Sequence, residues 1–106
     1  MDPSNQSEAG ALLDQLLESL LADFDRWFQR GEELLRCCPD DVMGKVERDR
    51  LAARLTEGQK SITATRSLVK ASTQPMAVSM SAISPWHGLV TEVWGLAAKL
   101  AVNRRN

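Results

Sequence analysis

LLDQLLESLLADFDRWFQRGEELLRCCPDD, Leu12 to Asp41, decides the fold. Within it Leu13, Leu17, Leu20, Phe24, Trp27, Gly31 and Leu34 recur at alternating intervals of four and three, the seam of a long helix lying at a shallow angle on another. Leu21, Phe28 and Leu35 form a second line beside that seam. The apolar face is therefore wider than a two-stranded coiled coil needs, and the helix is expected to meet two neighbours. Pro39 cannot continue the helix and restricts Cys38, which places the turn at Cys37 to Asp41 with Asp40 or Asp41 capping the next helix.

Downstream, Leu51, Leu55, Gly58, Ile62, Thr65 and Val69 repeat the alternating spacing, so a second helix is expected over 41–71, ending before Ser72-Thr73-Gln74-Pro75. A fold-back about Asp40 would set Phe24 at the level of Leu55 and Leu17 at the level of Ile62. Ser84-Pro85 reads as a cap followed by a first-turn proline, opening a third helix over 85–103 with Trp86, Val90, Val93, Ala97 and Leu100 as its stripe. Between these breaks, Met76 to Ile83 is expected as a short helical connector begun by Pro75. Upstream, helix one is expected over 9–37, with 1–8 a disordered polar tail and 104–106 a second tail. The fold class is all-α, a three-helix antiparallel bundle forming one domain over 9–103.

Charge favours this hairpin. Residues 1–41 carry a net −7, residues 42–71 a net +4 and residues 72–106 a net +2, from 13 basic and 14 acidic side chains among 106 residues. An acidic first helix beside a basic second one selects the antiparallel arrangement, although each exposed pair contributes only about 0–1 kcal/mol. At 43% apolar and 25% charged the composition is that of an ordinary globular domain, which excludes a disordered or collagen-like chain.

The catalytic inventory is thin. One histidine, no tyrosine and no metal-spaced cysteines leave no zinc site of three or four N/S ligands, so neither a metal nor a cofactor is expected. Ser67-Leu68-Val69-Lys70 matches the S-x-x-K pattern of serine acyl-enzymes, without the further motifs those enzymes require. No phosphate-cradling glycine loop, G-x-S-x-G or H-E-x-x-H occurs. The chain is read as a non-enzyme, with a small enzyme centred on His87 and Glu92 as the remote alternative. His87 itself reads as a neutral ring in the first turn of helix three.

Lys45, Arg48, Arg50, Arg54, Lys60, Arg66 and Lys70 make helix two basic, but it has no aromatic residue on which a base would stack, so no nucleic-acid partner is expected. Trp27 and Trp94 are placed in the core, on or beside helical stripes. Gly31 and Gly58 sit at seam positions at a cost of about 1 kcal/mol each relative to alanine, so something bulky should fill their notches. Trp86 or Trp94 is the expected filler.

Cys37 and Cys38 are adjacent and unsuited to a structural bridge, which points to a reducing compartment. The first ten residues lack a basic-then-apolar leader, and cytoplasmic residence is expected. The uncharged run Ala71 to Thr91 has the length of a bilayer span, yet Pro75, Pro85, Gln74 and His87 interrupt it and no transmembrane span is expected. The same run is the expected contact surface. Methionines adapt to a partner and the absence of charge eases desolvation, which selects Met76, Val78, Met80, Ile83, Trp86 and His87 in the 74–90 segment as the residues binding an unidentified protein partner. A homodimer is left open.

PMAVSMSAISPWHGLVTEVWGLAAKL, Pro75 to Leu100, together with DFDRWFQRGEELLRCCPDDVM, Asp23 to Met43, resembles a family of small cyanobacterial proteins catalogued as a domain of unknown function. Pro75, Met76, Met80, Pro85, Trp86, His87, Glu92 and Trp94 carry the resemblance, which covers nearly the whole chain after the polar tail. It implies a photosynthetic cytoplasm, and with it the alternative of an accessory factor in peripheral assembly at the photosynthetic membrane. It implies no activity and no ligand.

Overall fold

The computed structural model describes residues 3–72 and 80–105. Helix α1 spans Pro3–Arg36, α2 spans Lys45–Ala71 and α3 spans Met80–Arg105, and among the described residues there is no strand. The protein is an all-α three-helix bundle. α1 runs back through residues expected as a tail, because Pro3 suits the first helical turn, where its fixed φ is pre-set and its missing N–H costs nothing.

Side chains that meet across the α1–α2 hairpin define its register. A Cβ added at Gly31 would lie 3.0 Å from Leu55 Cδ1, and one added at Gly58 would lie 2.6 Å from Phe28 Cε2. Arg48 Nη1 donates to the Cys38 carbonyl at 3.0 Å. All three pairs straddle Met43 symmetrically. The fold-back point is therefore Met43 and not Asp40, so Phe24 stands at the level of Ile62 and Leu17 at that of Val69, one heptad from the expected levels. Loop chemistry explains the shift. Val42 N and Met43 N both donate to the Pro39 carbonyl, and α2 begins only after Gly44, whose extended backbone (φ −66°, ψ 162°) occupies the cap position. Asp40 and Asp41 do not cap α2; Asp40 instead takes a charge-assisted bond from Arg48, whose fork also holds the end of α1.

α1 is also rotated relative to the expected seam. Its buried line is Leu21, Phe24, Phe28, Gly31, Leu35 and Cys38, continued by half-buried Leu17, so the expected companion line has become the seam. Leu34 remains buried at the flank, whereas Leu13, Leu20 and Trp27 of the expected seam are exposed. On α2 the buried residues are Leu51, Leu55, Gly58 and Ile62, and the helix stops where Ser72 N turns back to the Leu68 carbonyl at 3.1 Å.

α3 lies mainly on α1 and touches α2 over a short stretch. Phe24 meets Trp86 edge-on at 5.9 Å, and one heptad further along both helices the Gly31 notch receives Val93 Cγ2, so α3 runs parallel to α1. α3 opens at Met80, ahead of the expected Pro85, which is the sixth residue of the helix. As the sixth residue Pro85 lies past the first four N–H groups that lack an intrahelical acceptor, so its missing N–H forgoes one backbone bond near the start of the helix. The part of the expected connector that falls on 76–79 lies outside the described residues.

Both glycine notches are filled from within the chain, but by other side chains than the tryptophans: Val93 and Leu55 at Gly31, Phe28 and Leu89 at Gly58. Phe28, Leu55, Ile62 and Val93 are fully buried, and among the described residues no polar or charged residue is buried with them. Truncating one such aliphatic or aromatic side chain to alanine typically costs about 2–5 kcal/mol.

Candidate functional site

From Met80 to Ala98, α3 carries a single charged residue, Glu92, and that carboxylate is bound to Arg54 of α2 at 2.7 Å. The rest of its outward side consists of small or uncharged residues such as Ser84, His87, Gly88, Thr91 and Gly95, all exposed. An added Cβ at Gly88 or Gly95 would meet nothing within 4 Å, so neither glycine serves internal packing.

Beside this face lie two tryptophans that the spacing assigns to the core. Trp27 of α1 and Trp94 of α3 pack edge to face, centroids 5.6 Å apart and planes at 82°, yet remain 37% and 46% exposed. The rotated seam is the cause: with Phe28 and Val93 inward, Trp27 and Trp94 fall on adjoining flanks. The signal for this was the second apolar line of α1, whose promotion to seam displaces Trp27 by one helical position.

The expected contact residues separate. Trp86 is only 7% exposed and packs on Phe24, so it belongs to the core of this chain. Ile83 is half-buried against that core. His87 is exposed, in the second turn after Met80 and not in the first turn of the helix, and its carbonyl accepts from Thr91 Oγ1 at 3.0 Å. Met76 and Val78, and the side chain of Met80, lie outside the described residues.

The other candidate chemistries are not assembled. Glu92 turns toward α2, whereas His87, five residues earlier, sits about 140° away round the helix, so the pair proposed as an enzymatic centre does not converge. Among the described residues no three His, Cys, Asp or Glu side chains are placed to hold a metal ion. Cys37 is exposed, Cys38 is buried and both are free thiols. Ser67 and Lys70 are both exposed on α2. No helix is long and apolar enough to cross a membrane, among the described residues.

The basic residues of α2 are largely matched by carboxylates. Arg66 holds Glu18 of α1, Arg54 holds Glu92 of α3, Arg48 holds Asp40, and Lys45 and Lys60 hold Asp49 and Glu57 on their own helix. The Glu18 carboxylate, by hydrogen bonding and by its charge, raises the Arg66 guanidinium above its ordinary value against a smaller opposing effect of burial.

No curated protein and no solved structure matches this chain. A family model described as "Protein of unknown function (DUF2605)" matches residues 7–102. The chain therefore belongs to the DUF2605 family.

Proposed function

We propose that this chain is a non-enzymatic helical interaction protein that docks a protein partner on the outer side of α3, centred on Trp94 and Trp27 with His87 at the upper edge. The observation that carries this reading is the surface tryptophan pair. Interface energy concentrates in aromatic anchors surrounded by uncharged contacts, and the Met80–Ala98 stretch supplies such surroundings with its single charge already neutralised by Arg54. Relative to the 74–90 segment, the centre of the surface moves along α3 and His87 is the exposed residue that it retains. The setting is a reducing cytoplasm, in which free Cys37 and Cys38 are stable, and the resemblance to small cyanobacterial proteins implies a photosynthetic one. Peripheral assembly work at a photosynthetic membrane fits less well, because α1, which forms one side of the face, is net acidic and an anionic leaflet would repel it.

Affinity capture with the tagged wild-type chain, repeated with Trp27→Ser and Trp94→Ser, tests the proposal. A partner retained by the wild type, lost by both variants and retained by Glu57→Ala supports it. Capture that is identical for all four proteins, with helicity unchanged by circular dichroism, overturns it.

A further inference from the structure

The surface tryptophans end a longer apolar line. Leu13, Leu16, Leu20 and Trp27 fall within about 60° of arc on α1 and run about 21 Å along its flank. They are 59%, 59%, 39% and 37% exposed. The adjoining edge of α3 carries half-buried Ile83, His87 and Trp94, spaced by four and by seven, with Trp94 in contact with Trp27. The parallel register of the two helices sets Leu20 at the level of Ala82 and Ile83. Two parallel edges whose apolar residues recur at intervals of three, four and seven enclose a groove with the period of an α-helix, so the shape that fills it is a helix of about four turns.

Charge selects which helix. From Glu8 to Asp25 every charged residue of α1 is acidic: Glu8, Asp14, Glu18, Asp23 and Asp25. At that end α2 offers two bases, both on the side of α1 turned away from Trp27, where Arg66 holds Glu18 and Lys70 lines a cleft with Asp14. α3 adds no base between Met80 and Ala98, and its one carboxylate, Glu92, is held by Arg54. Asp23 stands on the lip of the groove. Its ion pair among the described residues is with Arg26 of its own helix, at 3.4 Å and with both side chains largely exposed. Such a pair contributes at most about 1 kcal/mol and leaves the carboxylate open to a second cation. Arg30, one turn beyond Trp27, is tied to Glu33. The field over the leucine stripe is therefore negative.

We propose that the partner docks in this α1–α3 groove as a basic amphipathic helix, with its apolar residues on Leu16, Leu20, Trp27 and Trp94 and its lysines or arginines over Asp23 and the acidic flank of α1. This inference rests on the partner reading above and deepens it by naming the chemistry of what binds. A second copy of the chain is a poorer occupant. Its α1 would set acids against acids, and on its α2 Arg54, Lys60 and Arg66 are already held by Glu92, Glu57 and Glu18. An anionic membrane would be repelled by the same carboxylates that attract a basic helix.

Fluorescence titration of the full chain with synthetic peptides tests it, because Trp27 and Trp94 report from the groove itself. The probe is a peptide of leucine and lysine about five turns long, amphipathic at the helical period and free of aromatic residues. Its addition is expected to shift tryptophan emission to the blue. A leucine and glutamate peptide of the same pattern, and a leucine and lysine peptide of scrambled order, should bind at least about tenfold more weakly. Leu16→Ser combined with Leu20→Ser changes only exposed positions, so helicity should be unchanged while affinity falls about tenfold or more. Asp23→Lys, or raising the salt from about 50 to about 500 mM, should weaken binding as well. Leu68→Ser, on exposed α2 surface away from the groove, should leave it unchanged. Absence of a shift with the leucine and lysine peptide overturns the inference, as does equal binding of the glutamate peptide or equal loss in Leu68→Ser. The same blue shift on vesicles of phosphatidylglycerol, or a dimer in sedimentation velocity that Leu16→Ser with Leu20→Ser disperses, overturns it by naming another occupant. A partner captured through Trp27 and Trp94 that the peptide fails to displace overturns it while the partner reading stands. Stripe-dependent peptide binding without tryptophan-dependent capture overturns that reading alone.

Discussion

Replacing Gly58 by alanine sets two effects of known sign against each other. In a helix interior the change gains about 1 kcal/mol from reduced backbone entropy in the unfolded chain. At this position, however, the new Cβ would stand 2.6 Å from Phe28 Cε2 and 3.1 Å from Phe28 Cδ2, with Leu89 Cδ1 at 3.3 Å behind them. Phe28 is fully buried and its ring is rigid, so relief requires the helices to part or the ring to leave its rotamer. Overpacking of this kind costs roughly 1–3 kcal/mol, which leaves a net loss of about 1 kcal/mol. Gly95 is the control: it lies in a helix with nothing within 4 Å of its added Cβ, so Gly95→Ala should gain about 1 kcal/mol undiminished. Urea denaturation followed at 222 nm reads the difference. With a slope of roughly 1–3 kcal/mol per molar, the two midpoints should separate by about 1 M, on opposite sides of wild type. Equal stabilisation by both alanines would refute the reasoning, since it would mean that Phe28 does not fill the Gly58 notch.

The exposure of the tryptophans is checked by fluorescence quenching: a variant retaining only Trp86 (Trp27→Phe, Trp94→Phe) should emit further to the blue and resist acrylamide, while one retaining only Trp94 should be quenched readily. Native protein titrated with a thiol reagent should lose one sulfhydryl quickly, Cys37, with Cys38 reacting only on unfolding. A raised guanidinium value means that the contribution of Arg66 to stability is complete below its unfolded value, itself far above neutrality, and is lost only as pH climbs through the higher folded value, so the stability difference between wild type and Arg66→Gln should show no loss traceable to Arg66 between about pH 6 and 9. Parallel denaturant titrations at the two pH values measure this.

Three helices were legible because each is announced by apolar residues at alternating intervals and interrupted by proline, a signal that local geometry alone produces. Four of the six expected seam residues of α2, Leu51, Leu55, Gly58 and Ile62, are buried and Thr65 and Val69 are half-buried, since the helix has one apolar line and a polar remainder. α1 has two, and periodicity does not say which faces inward. That choice depends on which line supplies a ring of the right size opposite Gly58, a fact about tertiary packing. The hairpin register failed for a related reason: Asp40 and Asp41 looked like caps, but Arg48 captured Asp40, and the loop ran on to Gly44. Trp86 is buried because a helix running through the uncharged stretch must turn one of its sides to the core.

The surface tryptophan pair follows from the two glycine notches. Phe28 is held inward at Gly58, and Trp27 precedes it; Val93 is held inward at Gly31, and Trp94 follows it. Each tryptophan is thus turned by about 100° from a locked core residue, in opposite senses on two parallel helices. Those senses bring both rings to the outer edge of the α1–α3 contact, where they meet at 5.6 Å. A bundle that keeps Phe28 and Val93 in their notches has no interior position left for either indole. The two features are therefore coupled: a substitution that expels Phe28 from the Gly58 notch should loosen the Trp27–Trp94 contact as well, although neither ring touches Gly58.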